Sequence, residues 1–220
     1  VLQFMHTRSP MRVLDVGCGP GWLAEALMAQ GHHVTGVDLA EDPGVRVRMH
    51  HFVQADLERG LPDEVGGDFD VVLAADVIEH VRTPQQLLQQ MADRLKPGGT
   101  VIASVPNISH WYPRGRTALG LFDYDQRGIL DTTHVRFFTR RSFVRMAKQA
   151  GLQPIDRRHT GLPFDALKLR TDGGPGRLAA LVDRTLVRLW PTMFAYQFVY
   201  ELDVIPALDE PLDVATDAAG

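Results

Sequence analysis

The sequence predicts an α/β domain, a mostly parallel sheet with helices on both faces. Three observations carry that expectation. Short apolar runs, suited to strands covered on both sides, alternate with segments of helical spacing through residues 11–106. The first run passes directly into a glycine-rich turn, Val13-Leu14-Asp15-Val16-Gly17-Cys18-Gly19-Pro20-Gly21. The next three runs each end on an acid, Asp38, Asp56 and Asp76, at the sheet edge where open α/β folds bind ligands.

Met11 to Val16 is the first strand, with Asp15 as its one interior charge. Gly17, Gly19 and Gly21 allow a sharp turn and close approach to a ligand. Pro20 suits the first position of the following helix, where its missing N–H costs nothing. Leu23, Ala26, Leu27 and Gln30 keep helical spacing, and Gly31 suits the residue after the helix. His33–Leu39 is the second strand, Phe52–Leu57 the third and Phe69–Asp76 the fourth. Thr83 and Pro84 open a helix with an apolar stripe at Leu87, Leu88, Met91 and Leu95. Lys96-Pro97-Gly98-Gly99 stops it, and Thr100–Val105 is the fifth strand. Thr139 caps a helix carrying Phe143, Met146, Ala147 and Ala150, closed by Gly151. Pro154–His159 reads as strand six, and the aromatic run Met193–Val204 as strand seven, returning antiparallel. Between them Leu178, Leu181, Val182, Leu186 and Leu189 have helical spacing, with Arg177, Arg184 and Arg188 off that face. This helix is expected to pack on the core or cap the site; a dimer contact and a membrane-surface role are the alternatives.

The turn excludes one common cofactor class. A dinucleotide fingerprint needs a third glycine, and Trp22 stands there. Asp15 would also place its charge near a pyrophosphate. A cationic ligand suits it better, and S-adenosylmethionine (SAM) carries a sulfonium and an ammonium.

On these residues the chain resembles the class I SAM-dependent methyltransferases. Asp15, Gly17 and Gly19 match their D-x-G-x-G turn, and Leu95-Lys96-Pro97-Gly98-Gly99 before a strand is frequent among them. The resemblance implies a Rossmann-like seven-stranded mixed sheet of order 3-2-1-4-5-7-6. It implies that Asp38 meets the ribose hydroxyls and Asp56 the adenine amino group, with Leu57 packing on the ring or donating its backbone N–H. Cys18, Gly21, Leu39 and Ala75 complete the expected cofactor contacts, and S-adenosylhomocysteine (SAH) is the expected product.

Residues 107–138 follow strand five and are too long for a simple loop, so they read as a lid. Their aromatic and polar mixture suits a small-molecule pocket. The phrase Leu130-Asp131-Thr132-Thr133-His134-Val135-Arg136-Phe137-Phe138-Thr139 resembles bacterial methyltransferases of glycan and natural-product pathways, some fused or adjacent to glycosyltransferases. A hydroxyl acceptor needs a base, and histidine suits that task near neutral pH. His80, His110 and His134 are the candidates, with Asp131 placed to orient His134. Asp76-x-x-Glu79-His80 resembles the acidic–x–x–Glu–His metal site of some quinone O-methyltransferases, with Asp76 where Glu is frequent. A divalent metal is therefore allowed there, though it is not the expectation.

The expected reaction is O-methylation of a small molecule, a sugar-containing metabolite or glycan precursor. N-methylation and a non-catalytic SAM-binding role are the alternatives. Residues 1–106 carry 8 Lys and Arg against 14 Asp and Glu, whereas residues 107–160 carry 10 against 4. The basic segment is either a solvated face or faces an anionic acceptor. With a net charge of −4 and no basic strip interleaved with aromatics, nucleic acid is not an expected partner. One domain is expected over residues 1–206, with insertions at about 107–138 and 163–192 and a flexible acidic tail at 207–220. No apolar run approaches the length of a membrane span. No secretory signal is readable, and the single cysteine, Cys18, cannot form an intrachain disulfide, so a cytoplasmic location is expected. Cys18 reads as a small turn residue more readily than as a catalytic thiol. The opening on Val1, about ten residues before the first strand, suits a processed chain, a shortened one or a domain of a longer polypeptide. A homodimer and a glycosyltransferase fusion are compatible with these features.

Overall fold

The first strand of the computed structural model, β1 (Arg12–Val16), lies in the interior of the sheet, where its apolar residues are covered on both faces. The structure describes residues 1–164 and 173–206. The sheet has seven strands in the order β3-β2-β1-β4-β5-β7-β6. The others are β2 (His33–Asp38), β3 (His51–Gln54), β4 (Phe69–Ala75), β5 (Leu95–Pro106), β6 (Leu152–Thr160) and β7 (Gln197–Val204). β7 runs antiparallel to both β5 and β6, and the other pairings are parallel. The order reverses between β1 and β4, which opens a crevice beyond their carboxyl ends.

Helices cover both faces. On one side α1 (Leu2–Met5) and α2 (Trp22–Met28) bury Phe4, Met5, Ala24 and Leu27 against Val13, Val34 and Leu73. On the other, α3 (Pro84–Asp93) and α5 (Arg140–Gln149) bury Leu88, Met91, Phe143 and Ala147 against Leu14, Val72, Ala103 and Tyr200. Between these two helices in the chain lies α4 (Trp111–Ala118). Each fully buried aliphatic or aromatic side chain contributes about 1.5–3 kcal/mol, so these layers hold the strand ends in fixed relation. Thr139 and Ser142 form a reciprocal capping box that starts α5.

Several boundaries differ from expectation. α2 begins at Trp22, not Pro20, because Gly21 takes the cap position at φ +85°, a left-handed conformation that glycine tolerates. β3 ends at Gln54, and Asp56 instead caps a 3-10 turn over Leu57–Arg59. β5 begins early because Lys96–Gly99 bulges within it: Phe69 pairs with Leu95, then Val71 with Thr100. Met193 is not in strand seven. Pro191 opens a short helix, α7 (Pro191–Phe194), and pairing starts at Gln197.

The largest difference concerns α6 (Gly174–Leu189). Of its expected inward face, Leu178, Leu181, Val182 and Leu189 are exposed, and among its residues only Ala180 and Val187 are buried. The adjoining sheet face is already filled by α3 and α5, and Val187 alone of this helix joins that core. Residues 165–172 of the second expected insertion, and the expected tail at 207–220, lie outside the described residues. Among the described residues, no helix is long and apolar enough to cross a membrane.

Candidate functional site

The crevice at the β1–β4 switch is built by the glycine turn. Gly17, Gly19 and Gly21 all have positive φ. Gly17 donates to the Val37 carbonyl at 2.7 Å, tying the turn to β2. A Cβ on Gly17 would lie 2.4 Å from Val77 Cγ2, whereas one on Gly19 would meet no protein atom within 4 Å. The turn is thus packed from below and open above. Trp22 stands outside, with the Arg48 guanidinium 3.8 Å from its ring centre. Arg48 also donates to the Pro20 carbonyl at 2.8 Å and clamps the turn from that side.

Three acids surround the crevice. Asp15 is 1% exposed, and one of its carboxylate oxygens is buried without a partner. Burial, followed by the neighbouring charge of Asp38, pushes its carboxyl up to about 7. Asp38 accepts from the Gly19 amide at 2.8 Å and from the Ala40 amide at 3.1 Å. A carboxylate has about four lone-pair sites, so both oxygens retain capacity for hydroxyl donors. Asp56 accepts from the Glu58 amide at 3.0 Å, with Leu57 half-buried beside it. Leu39 is exposed and Ala75 half-buried at the ends of their strands. Cys18 is buried, and burial, then Asp15 and Asp38, push its thiol up to about 12. It is therefore a thiol at neutral pH and a poor nucleophile.

The second cluster forms just past β4, where the lid folds back. The amides of Val135 and Arg136 donate to the Glu79 carbonyl at 2.9 and 3.0 Å. This brings His134 to His80, edge to face at 4.8 Å between ring centres. His80 Nδ1 donates to the Thr133 carbonyl at 3.2 Å, and His134 Nδ1 to the Ile129 carbonyl at 3.2 Å. Both rings thereby keep Nε2 as the nitrogen with a free lone pair. Glu79 is 1% exposed, both its carboxylate oxygens lack a hydrogen-bond partner among the described residues, and one lies 4.0 Å from His134 Nε2. Burial, then Asp76, push the Glu79 carboxyl up to about 8, while burial pushes His134 below the usual histidine range. Ligand atoms of Glu79, His80 and His134 lie within 4.8 Å of one another.

Three expectations are corrected here. Asp131 does not orient His134 through its carboxylate, which is occupied by the Thr133 amide at 2.8 Å and hydroxyl at 2.6 Å; the Ile129 carbonyl does so. Asp76 is not a member of the Glu79–His80 cluster. It sits at φ +57°, and its carboxylate accepts from Ser104 Oγ at 3.1 Å and from Gln197 Nε2. His110 joins neither cluster. Its Nδ1 caps α4 by accepting from the Tyr112 amide at 3.2 Å, and burial pushes it down to about 4.

Sequence reasoning missed Ser104, Gln197 and the lid's internal lock. Tyr112 Oη donates to Asp125 at 2.9 Å, and Arg116 donates to the same carboxylate at 2.7 Å. The Tyr112–Arg116 spacing of four on a helix was the available signal. Gln197 had none, since its reach to Asp76 depends on the antiparallel register that sets it opposite Pro106. Trp111, Phe122 and Tyr124 of the lid remain exposed.

A family model described as a methyltransferase domain matches residues 1–156. A ubiquinone biosynthesis O-methyltransferase of Idiomarina loihiensis is 35% identical over 166 residues, covering 71% of this chain and 67% of that protein. Among such relatives the matched span is between 62% and 75% of their length. By fold, the chain is similar to the 1,6-didemethyltoxoflavin-N1-methyltransferase of Burkholderia thailandensis, solved with SAH (TM-score 0.59, 19% identity, 93% of this chain and 76% of that one). It is equally similar to magnesium protoporphyrin IX methyltransferase of Synechocystis, also with SAH (TM-score 0.60, 17% identity, 91% and 77%). The sheet order, the glycine turn and the family match agree, and the chain belongs to the class I SAM-dependent methyltransferases.

Proposed function

We propose that the chain methylates a hydroxyl group on a small molecule, with donor and acceptor served by separate buried carboxylates. The observation that carries this reading is the Glu79–His80–His134 cluster beside the β4 end, across the switch point from the glycine turn. SAM, when bound, supplies a methyl carbon already activated by its sulfonium. On the donor side Asp15 favours the cation, while Asp38 and Asp56 present acceptors to ribose and adenine. On the acceptor side His134 is neutral at pH 7, its Nδ1 is held by the Ile129 carbonyl, and its Nε2 receives the hydroxyl proton. Alignment of acceptor and methyl carbon supplies much of the rate, and the base about 10²–10⁴-fold more.

The relatives' names, from ubiquinone biosynthesis, favour a ring hydroxyl over the sugar hydroxyl expected from the lid sequence. A toxoflavin N-methyltransferase on the same fold keeps nitrogen as the competing acceptor. A divalent cation is a second reading of the acceptor cluster. Glu79 holds two buried, unpartnered oxygens beside two imidazoles, a donor set that fits such an ion, and the cation would supply charge to hold an acceptor oxygen. The test is incubation with methyl-labelled SAM and a panel of catechols, hydroquinones, hydroxylated sugars and amines. Label on a phenolic oxygen, lost about 100-fold in His134→Asn with SAM affinity kept, is the expected result. Label on nitrogen, or transfer undiminished in His134→Asn, overturns it.

A further inference from the structure

A second concave surface lies on the outer half of the sheet, between α5 and β6. It encloses about 830 Å³. Arg140, Arg141, Arg145 and Lys148 line it from α5, Arg157 faces them from β6, and Tyr200 of β7 forms the floor. Asp156 is the one carboxylate among the lining residues, and it is already engaged. It accepts from the Arg157 amide at 2.7 Å and lies 3.7 Å from the Arg158 guanidinium. Among the described residues, none of the five cations forms an ion pair.

The arrangement is unfavourable without an anion. Arg141, Arg145 and Lys148 stand four and three residues apart, on one helical stripe about 10 Å long, where like charges oppose helix formation. Arg140 and Arg141 occupy the first turn, where the helix dipole disfavours cations. α5 contains no acidic residue to offset them.

The floor gives a second, independent sign. Tyr200 is 1% exposed, and its buried hydroxyl has no hydrogen-bond partner among the described residues. Its ring stacks on Phe143 at 5.1 Å, and in the strand ladder it pairs directly with Arg157. A buried hydroxyl without a partner costs stability, and it remains available as a donor. At Pro154/Asp156 the β6 register shifts, and the extra residue Ile155 is turned outward at the groove. Ile155 and the half-buried Val144 give the groove an aliphatic wall between the charges.

We propose that the α5–β6 groove is a phosphate-binding site, taking a diphosphate or phosphodiester group along the Arg141–Arg145–Lys148 stripe, with Arg157 opposite and Tyr200 donating from the floor. The site is separate from the donor crevice, which lies beyond β1 and β4. It does not depend on which acceptor is methylated. Guanidinium groups suit phosphoryl oxygens because they donate in pairs, and an open site of this kind weakens with salt.

The test measures two sources of the same chemistry with the whole chain. Calorimetry with pyrophosphate at low and high salt probes a free phosphate, and flotation with phosphatidylcholine vesicles with and without phosphatidylglycerol probes a lipid headgroup. The variants are Arg145→Gln with Lys148→Gln, and Tyr200→Phe; SAH affinity and the melting curve confirm that each is folded. Affinity should fall about tenfold in the double variant and about threefold in Tyr200→Phe, with SAH binding unchanged. Loss in the pyrophosphate arm assigns a soluble phosphate, and loss in the vesicle arm a headgroup. Equal behaviour of wild type and double variant in both arms overturns the site.

Discussion

Asp15 and Glu79 are two carboxylates buried near the same sheet edge, each with an oxygen that has no partner among the described residues. Burial raises both, Asp15 to about 7 and Glu79 to about 8. What differs is how each is assembled. Asp15 lies under a turn made by its own next six residues, with Asp38 beside it at the end of the paired strand. Glu79 meets His134 only because the lid docks back onto its carbonyl. The glycine-turn crevice is thus encoded locally, whereas the Glu79–His134 contact depends on a long connection.

The largest expected effect breaks the donor side alone. Asp38→Ala should weaken SAM binding about 100-fold, near 2.7 kcal/mol, because the Gly19 amide loses its acceptor and, on the proposed reading, so do the ribose hydroxyls. Methyl transfer at saturating SAM should stay within about threefold, and an equal loss there would merge the two sides.

A pH series sharpens the same comparison. The ligand-free protein holds the Asp15 proton up to about pH 7, and a bound cation favours its release. SAM affinity should therefore rise roughly tenfold between pH 6 and pH 8, with the rise abolished in Asp15→Asn. The unfolded chain loses this proton near 3.8, so the Asp15 contribution to ligand-free stability is complete below that pH and is lost as pH rises through about 7. Asp15→Asn should accordingly raise the ligand-free melting temperature at pH 8 by several degrees and leave it nearly unchanged at pH 4, as read by calorimetry.

The smallest effect is expected at Cys18. With its thiol protonated at neutral pH, Cys18→Ala should keep methyl transfer within about twofold, and iodoacetamide at pH 8 should react slowly. Rapid alkylation that abolishes transfer would reopen the thiol as a participant.

The glycine turn and its neighbouring acids are legible in the sequence because their signals are local. A strand, three glycines at alternate positions and acids at successive strand ends are properties of short windows, and Asp15, Gly17, Gly19, Asp38 and Asp56 all lie at the expected edge. The sheet order was readable through the resemblance and matches. The Glu79–His80–His134 cluster is legible only as a set of residue types. The histidines stand out in the sequence, yet the Ile129 carbonyl, Gln197 and the displacement of Asp76 depend on register and on the lid path. Helical spacing located α6 but did not say which of its faces is covered, since periodicity reports a stripe and not its partner.

The most direct test of two carboxylates with separate tasks is the split between SAM affinity and transfer rate in Asp15→Asn and Glu79→Gln, measured side by side on one methylated acceptor. A crossed pattern is expected: Asp15→Asn loses affinity and keeps most of its rate at saturating SAM, while Glu79→Gln, which alters the carboxyl beside the proton-accepting His134 Nε2, keeps affinity and loses rate at least tenfold. Loss of the same parameter in both variants would contradict it.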